Sequence, residues 1–231
     1  MVDMKVKGNI MNTDKVIMPF EYPDIEFEVE KITELPSKPL YTFIKRLFDI
    51  AVSVIGIIIL FIPMVIVYII IAATSEGNPI YRQERLGLNG KSFYIYKFRT
   101  MYENAEKDGA QWSKGEEDER ITPISKVLRR IRFDEVPQLF NCISGELSLV
   151  GPRPEREVFY KEFETYVHGF SQRLLVKPGI TGLAQINGGY TLKPEEKIVY
   201  DIEYIKTRSL MNDLKILLST VSVVIRGEGS M

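Results

Sequence analysis

The sequence predicts an α+β chain, mostly helical. A re-entrant membrane helix-hairpin kinked at Pro63 is followed by a polar domain with a small β-hairpin and amphipathic helices. Three observations predict it. Ile50 to Ser75 is an uncharged, apolar run of about 26 residues, long enough to cross the ~30 Å hydrocarbon layer of a bilayer. Two β-rich segments flank Asn89-Gly90, a two-residue hairpin signal. Beyond residue 120, apolar side chains recur at helical spacing in several segments. The organisation read from this is a polar extension over 1–40, a membrane segment over 41–77 and a main domain over 78–231.

Charge and composition exclude several classes. The 231 residues carry 30 basic and 31 acidic side chains, a net charge of −1, so no global basic field points to nucleic acid. The single Cys142 excludes an intramolecular disulfide and a cysteine-rich metal site, and the single His168 excludes multi-histidine zinc sites. Neither GxxxxGK[ST] nor GxGxxG occurs, which disfavours the ordinary nucleotide-binding folds. His168 is left as the one candidate imidazole base, in a loop-like setting, so chemistry is expected to rest mainly on carboxylates, Lys and Arg, with or without a metal.

In the extension, prolines 19, 23, 36 and 39 are scattered through polar sequence, and Ile25, Phe27 and Val29 alternate with glutamates as one short strand would. The segment is expected to dock on the main domain or stay mobile. It has no apolar core of the kind a secretory signal needs. In the membrane segment Pro63 lies near the midpoint, where it removes a backbone hydrogen bond. Basic residues flank both ends, Lys38, Lys45 and Arg46 before and Arg82, Arg85 and Lys91 after. A simple span would show an imbalance. Kink and balanced flanks together favour a re-entrant hairpin with both ends cytoplasmic, a kinked transmembrane helix being the alternative.

Ile80-Tyr81-Arg82 and Phe93-Tyr94-Ile95-Tyr96 then form the hairpin, with Lys97 and Arg99 projecting from one face at its end, close to where lipid phosphates would lie. Residues 102–121 read as a polar loop over the site. From Thr122-Pro123 a helix starts, with Ile124, Val127, Leu128 and Ile131 as its apolar stripe and Arg129, Arg130 and Arg132 largely off it. It is expected to stop near Phe133, with Asp134 as N-cap of a second helix and Pro137 in its first turn. That places Asp134 and Glu135 at a helix N-terminus, where the dipole favours their ionised form. Ionised carboxylates in a cationic field hold a divalent metal or attack phosphorus; the plain alternative is a capping pair. Leu147 to Val150 leads as a strand into Gly151-Pro152-Arg153-Pro154, a stiff turn presenting an arginine suited to bidentate phosphate contact. Glycine-rich turns follow at 178–182 and 187–189. A helix over 194–206 contains Asp201, and a final apolar helix over 209–226 is expected to pack on the core rather than on a membrane surface.

Five segments carry a resemblance. Lys45-Arg46-Leu47-Phe48-Asp49, Tyr96-Lys97-Phe98-Arg99-Thr100-Met101, Asp134-Glu135-Val136-Pro137-Gln138-Leu139, Val150-Gly151-Pro152-Arg153-Pro154 and Pro178-Gly179-Ile180-Thr181-Gly182 occur in that order. Together they resemble the bacterial sugar transferases, the monotopic phosphoglycosyl transferases of glycan assembly, over about residues 43–226. The resemblance implies a Mg²⁺-dependent enzyme at the cytoplasmic face of the bacterial inner membrane. It would move a phosphosugar from a UDP-sugar to undecaprenyl phosphate and release UMP. It implies Asp134 as nucleophile, Glu135 as metal ligand, Arg153, Arg129, Lys97 and Arg99 as phosphate contacts, and Asp201 as a further substrate-binding carboxylate. Membrane lipid, a second copy of the chain and downstream glycosyltransferases are the implied partners. The sequence departs from the family pattern at Ile62, where members often have Ser before Pro63, and at Gly189, where many carry Arg. The extension does not look like the multi-helix membrane domain of larger members, so a short form is expected. A non-catalytic membrane scaffold and a lipid-phosphate hydrolase are the other readings, and the sugar is not identified.

Overall fold

The computed structural model describes residues 4–7, 26–102, 105 and 118–226. The loop expected over 102–121 falls mostly outside these. Its base is closed by a bridge between Met101 and Ile121.

Strand β1 (Met4–Lys7) pairs antiparallel with β2 (Glu26–Val29), and β2 pairs parallel with β6 (Val167–His168). The expected short strand is therefore present and docked. Val29 is buried in the main core with Phe27, Ile32 and Leu35 packed around it. Arg208 Nη2 donates to the Pro36 carbonyl at 2.7 Å.

Helix α1 (Pro39–Thr74) runs through Pro63 without interruption, so the hairpin break expected there does not appear as a gap in the helix. A proline deletes one backbone donor, and the flanking turns keep theirs. At 1.5 Å per residue, 36 residues are about 54 Å of helix, well beyond the ~30 Å of a bilayer core. Its apolar surface is largely bare, with Ile58 70% exposed. Both ends are nevertheless fastened to the same body. At the N-terminal end Lys45 pairs with Asp213 at 2.8 Å, and Asp49 Oδ1 accepts from Leu149 N at 3.1 Å. Near the other end Ile71 packs with Phe98 and Leu128, flanked by Met64 and Val67.

The hairpin is formed by β3 (Ile80–Leu86) and β4 (Ser92–Phe98), in register from Ile80↔Phe98 to Leu86↔Ser92. Asn89 and Gly90 both take positive φ, 57° and 75°, and Lys91 N donates to Leu88 O at 3.2 Å, as in the turn their sequence demands. Helix α2 (Pro123–Arg130) begins at Pro123 as expected, but its stripe is mostly unburied. Leu128 is covered, whereas Ile124, Val127 and Ile131 are exposed.

The chain then departs from the expected helix start. Arg132 adopts the left-handed region at φ 54°, and Phe133–Glu135 forms a single 3₁₀ turn before α3 (Gln138–Ser144). Asp134 therefore lies one turn ahead of α3 and does not cap it; Pro137 holds the N-cap position. Helix α3 ends at Gly145, φ 89°, where an added Cβ would sit 3.2 Å from Arg46 Nη2. That arginine, from α1, donates to the carbonyls of Cys142 and Ile143 in the last turn, where a helix runs short of backbone donors.

Strand β5 (Ser148–Val150) pairs parallel with β7 (Gly179–Thr181). The backbones cross so closely that a Cβ at Gly179 would come within 2.1 Å of Gly151 N, and one at Gly151 within 2.4 Å of Lys177 O. Gly179–Thr181 is a strand rather than only a turn. Around this pair pack α4 (Glu157–Glu164), α5 (Leu183–Ile186), α6 (Pro194–Thr207) and α7 (Leu210–Arg226). Phe163, Tyr166, Phe170, Ile198, Ile202 and Ile205 are fully covered and form the centre of the core. Helix α7 gives Asp213 and Ile216 to the interior but exposes Met211, Leu218, Val221 and Ile225 on its other side, so only one of its faces packs on the core.

Candidate active site

Three elements converge on the Asp134-Glu135 turn. Strand β4 delivers Lys97, the last turn of α2 delivers Arg129, and the rigid turn after β5 delivers Arg153. Lys97 Nζ is 2.8 Å from Glu135 Oε1. Arg153 Nη2 also binds Glu135 Oε1, while its Nη1 lies 3.4 Å from Oε2. The positive φ of Arg132 is what permits this. It turns the chain sharply enough to aim two consecutive carboxylates inward, both only 7% exposed.

The two carboxylates titrate apart. Burial, then the charge of Glu135, pushes Asp134 up to about 6, against the opposing Lys97, Arg129 and Arg153. Burial acts on Glu135 in the same direction, but Arg153 and Lys97, by charge and by hydrogen bond, outweigh it and hold Glu135 well below the usual carboxylate range. Neighbouring buried groups driven to different pKa values mark assigned roles. Glu135 is a fixed anion, and Asp134 a carboxylate of raised basicity and hence raised nucleophilicity.

Asp134 forms part of the wall of a cavity of about 470 Å³. Among the described residues, nine arginines and two lysines line it against only two carboxylates, Asp134 and Glu155. In a chain of net charge −1, that is a local concentration of positive charge, and it favours an anionic occupant.

The other expected residues fall as follows. Arg99 lines the cavity, but its Nη2 is tied to Ser75 O at 3.0 Å and Ser75 Oγ at 2.8 Å, so it also fastens the end of α1. Asp201 is not among the cavity-lining side chains. It is buried behind Arg173, whose Nε lies 2.6 Å from Asp201 Oδ2 and whose Nη2 donates to the Arg153 carbonyl at 2.8 Å. Asp201 thus meets the site through Arg173. Sequence reasoning missed Arg173, Lys197, Arg156 and the buried Arg85–Glu155 pair at 2.9 Å. Lys197 had a signal, standing one helical turn before Asp201 on the same face of α6. Arg173, in an irregular polar stretch, had none.

For a metal, the donor set is small and hard. No group of three or more His, Cys, Asp or Glu side chains is gathered among the described residues. Among the described residues Glu135 Oε2 accepts only the long Arg153 contact, so it keeps lone-pair capacity for a cation. One or two carboxylates, completed by substrate oxygens and water, are what Mg²⁺ takes, and the residues fit that ion.

Comparison with known proteins agrees with this geometry. The family model described as bacterial sugar transferase matches residues 40–227. A UDP-N-acetylgalactosamine-undecaprenyl-phosphate N-acetylgalactosaminephosphotransferase of Aeromonas hydrophila is 40% identical over 199 residues, covering 85% of this chain and 47% of that protein. A UDP-glucose:undecaprenyl-phosphate glucose-1-phosphate transferase of Klebsiella pneumoniae is 37% identical over 215 residues, 87% of this chain and 46% of that one. A Bacillus subtilis protein named as a candidate undecaprenyl-phosphate N-acetylgalactosaminyl 1-phosphate transferase is 45% identical over 153 residues, 64% of this chain and 84% of its own length. The chain spans about half the length of the Aeromonas and Klebsiella relatives. With four of the five motif segments gathered at or beside one cavity, and the fifth fastening α1 beneath it, the chain belongs to the bacterial sugar transferase family.

Proposed function

We propose that the protein transfers a sugar phosphate from a UDP-sugar to undecaprenyl phosphate, with release of UMP, through a covalent intermediate on Asp134. The observation that carries this is the cavity wall itself, in which eleven cationic side chains surround a buried carboxylate of raised basicity. A diphosphate donor and a phosphate acceptor match that charge, and a neutral substrate does not.

In the first step an Asp134 carboxylate oxygen attacks the β-phosphorus of the donor. The bond from that phosphorus to the bridging oxygen breaks, and its electron pair leaves with UMP. In the second step an oxygen of the lipid phosphate attacks the same phosphorus, the bond to Asp134 breaks, and the carboxylate is regenerated. No proton has to move in either step, which suits a site with no histidine in its wall. Arg153, Lys97 and Arg129 hold the phosphoryl oxygens. Glu135 orients Arg153 and Lys97 and, with Asp134 beside it, would hold Mg²⁺; the ion when bound supplies positive charge to the diphosphate.

Helix α1 supports a placement in the membrane. Its N-terminal end is held by Asp213 and the Arg208 carbonyl, its C-terminal end by Arg99, all groups of one body. This supports a re-entrant arrangement with both ends on the cytoplasmic side, where nucleotide sugars are found, and the apolar middle in the inner membrane. The lipid-linked product is a substrate for downstream glycosyltransferases.

The test is UMP release by the purified full chain with Mg²⁺ and undecaprenyl phosphate across a panel of UDP-sugars. Release with one donor, abolished by EDTA and restored by Mg²⁺, is expected. Glu135→Gln should raise the Mg²⁺ concentration needed and lower the rate about 10²-fold or more. An Asp134→Ala protein that turns over normally would overturn the reading.

A further inference from the structure

The cavity has two ends joined by one arginine. At one, Arg153 binds Glu135, the neighbour of Asp134. At the other, Arg173 Nη2 donates to the Arg153 carbonyl at 2.8 Å and its Nε lies 2.6 Å from Asp201 Oδ2, one helical turn from Lys197. An in-line displacement places nucleophile and leaving group on opposite sides of the phosphorus. With the transferred phosphoryl group on Arg153 and Asp134 on one side, the leaving side is the end where Lys197 stands.

Lys197 is 8% exposed and lines the cavity from α6. Its surroundings are set by three elements besides its own. The turn after β5 gives Arg153 and Glu155, the 3₁₀ segment Phe170–Leu175 gives Arg173, and α5 gives the neutral Gln185. Asp201 on its own helix is engaged by Arg173. Strand β2 meets α6 at the far end, where Lys206 pairs with Glu30.

We propose that Lys197 is a donor-binding residue, its ammonium meeting the phosphate on the leaving side of the nucleotide sugar and holding the charge that develops as UMP departs. This rests on the phosphotransferase reading above and assigns a residue to the half of the donor that Asp134 does not touch. It also makes donor binding sensitive to pH. Burial, and behind it Arg173 and Arg153, bring Lys197 down to about 8 against the opposing pull of Glu155 and Asp201. The arginines of the wall stay charged throughout, so Lys197 is the cation whose loss weakens the leaving-side contact above pH 8.

The experiment is UMP binding by calorimetry to the full chain in nanodiscs at pH 7.0 and 9.5, for wild type, Lys197→Met and Lys197→Arg. The UMP phosphate is mostly dianionic at pH 7.0 and wholly so at pH 9.5, so its own ionisation does not produce an alkaline loss, and ionisation of the uracil N3–H, which begins at about pH 9, acts alike on all three proteins. Wild type should lose about tenfold in affinity between them. Lys197→Met should bind about tenfold more weakly at pH 7.0 with little further change, and Lys197→Arg should hold its affinity at both. Wild-type affinity in Lys197→Met at pH 7.0, or an undiminished alkaline loss in Lys197→Arg, would overturn the proposal. If the Met variant does not fold, the Arg variant decides alone. Turnover is a separate readout: a wild type that binds UMP in this Lys197-dependent way yet releases none from any UDP-sugar refutes the reaction and leaves the residue's role standing.

Discussion

Asp134 and Glu135 are chemically near-identical neighbours with opposite fates, because cations reach only one of them closely. Glu135 receives Lys97 and Arg153, and Asp134 keeps the burial without the hydrogen bonds. A folded-state pKa of about 6, above the ~3.9 of an unfolded aspartate, means that the native state binds this proton more tightly. Stability therefore falls as pH rises from about 4 to 6, and the loss is complete above 6. Asp134→Asn should abolish UMP release while raising metal-free stability by about 1–3 kcal/mol at pH 8, with the gain shrinking toward pH 4; thermal unfolding at the two pH values checks both sign and window. Arg132 is the second decisive residue. Holding a non-glycine side chain at φ 54° costs on the order of 1 kcal/mol. Arg132→Gly should leave the unfolding midpoint nearly unchanged, whereas Arg132→Val should lower stability by about 1–2 kcal/mol. Nothing in the local sequence announced this: arginine is a good helix former, and the expected helix ran on past it.

At the level of elements, the β5–β7 pair governs Arg153. Three glycines, 151, 179 and 182, let the two backbones cross at distances no Cβ tolerates, and the strand is pinned on both edges. Asp49 of α1 accepts from Leu149 N, and Tyr204 donates to Val150 O at 3.2 Å. Gly179→Ala should cost at least about 2–3 kcal/mol and reduce activity with it, measured by denaturant unfolding alongside UMP release. The glycines were visible in the sequence as turns, but their use in a parallel pair was not, since a three-residue strand has no periodicity to read. The hairpin, with Asn89-Gly90 at its tip, was fully legible because its turn chemistry is local. The stripe on α2 was legible as a pattern, though not as burial: apolar spacing reports a face, and the partner of that face lies outside the sequence window.

For the whole molecule, the decisive arrangement is one long apolar helix fastened at both ends to one charged body. Single cysteines placed before Lys38 and after Gly77 should both react with a membrane-impermeant maleimide in inverted inner-membrane vesicles and in neither case from the periplasmic side. Labelling of one end from the periplasm would replace the re-entrant arrangement with a span. The same fastening ties α1 to the candidate site: it reaches the Asp134-Glu135 turn through Arg46 on the end of α3 and Arg153 through Asp49 on β5. The long apolar helix is thus part of the frame that positions the site.

The sequence by itself determined what is local: the apolar run, the hairpin, the carboxylate pair, the stiff Pro-Arg-Pro turn and the motif order that marks the family. Each depends on neighbours within a few residues, where propensity, turn chemistry and composition act. Tertiary structure decided which of two adjacent carboxylates is the more basic, that Asp201 meets the site through Arg173, and that Arg85, Arg156, Arg173 and Lys197 join the cavity wall. Those outcomes come from charges brought together from tens of residues apart along the chain and from the removal of water around them. Burial and Coulomb interaction depend on distance in space, and spacing along the chain does not encode it.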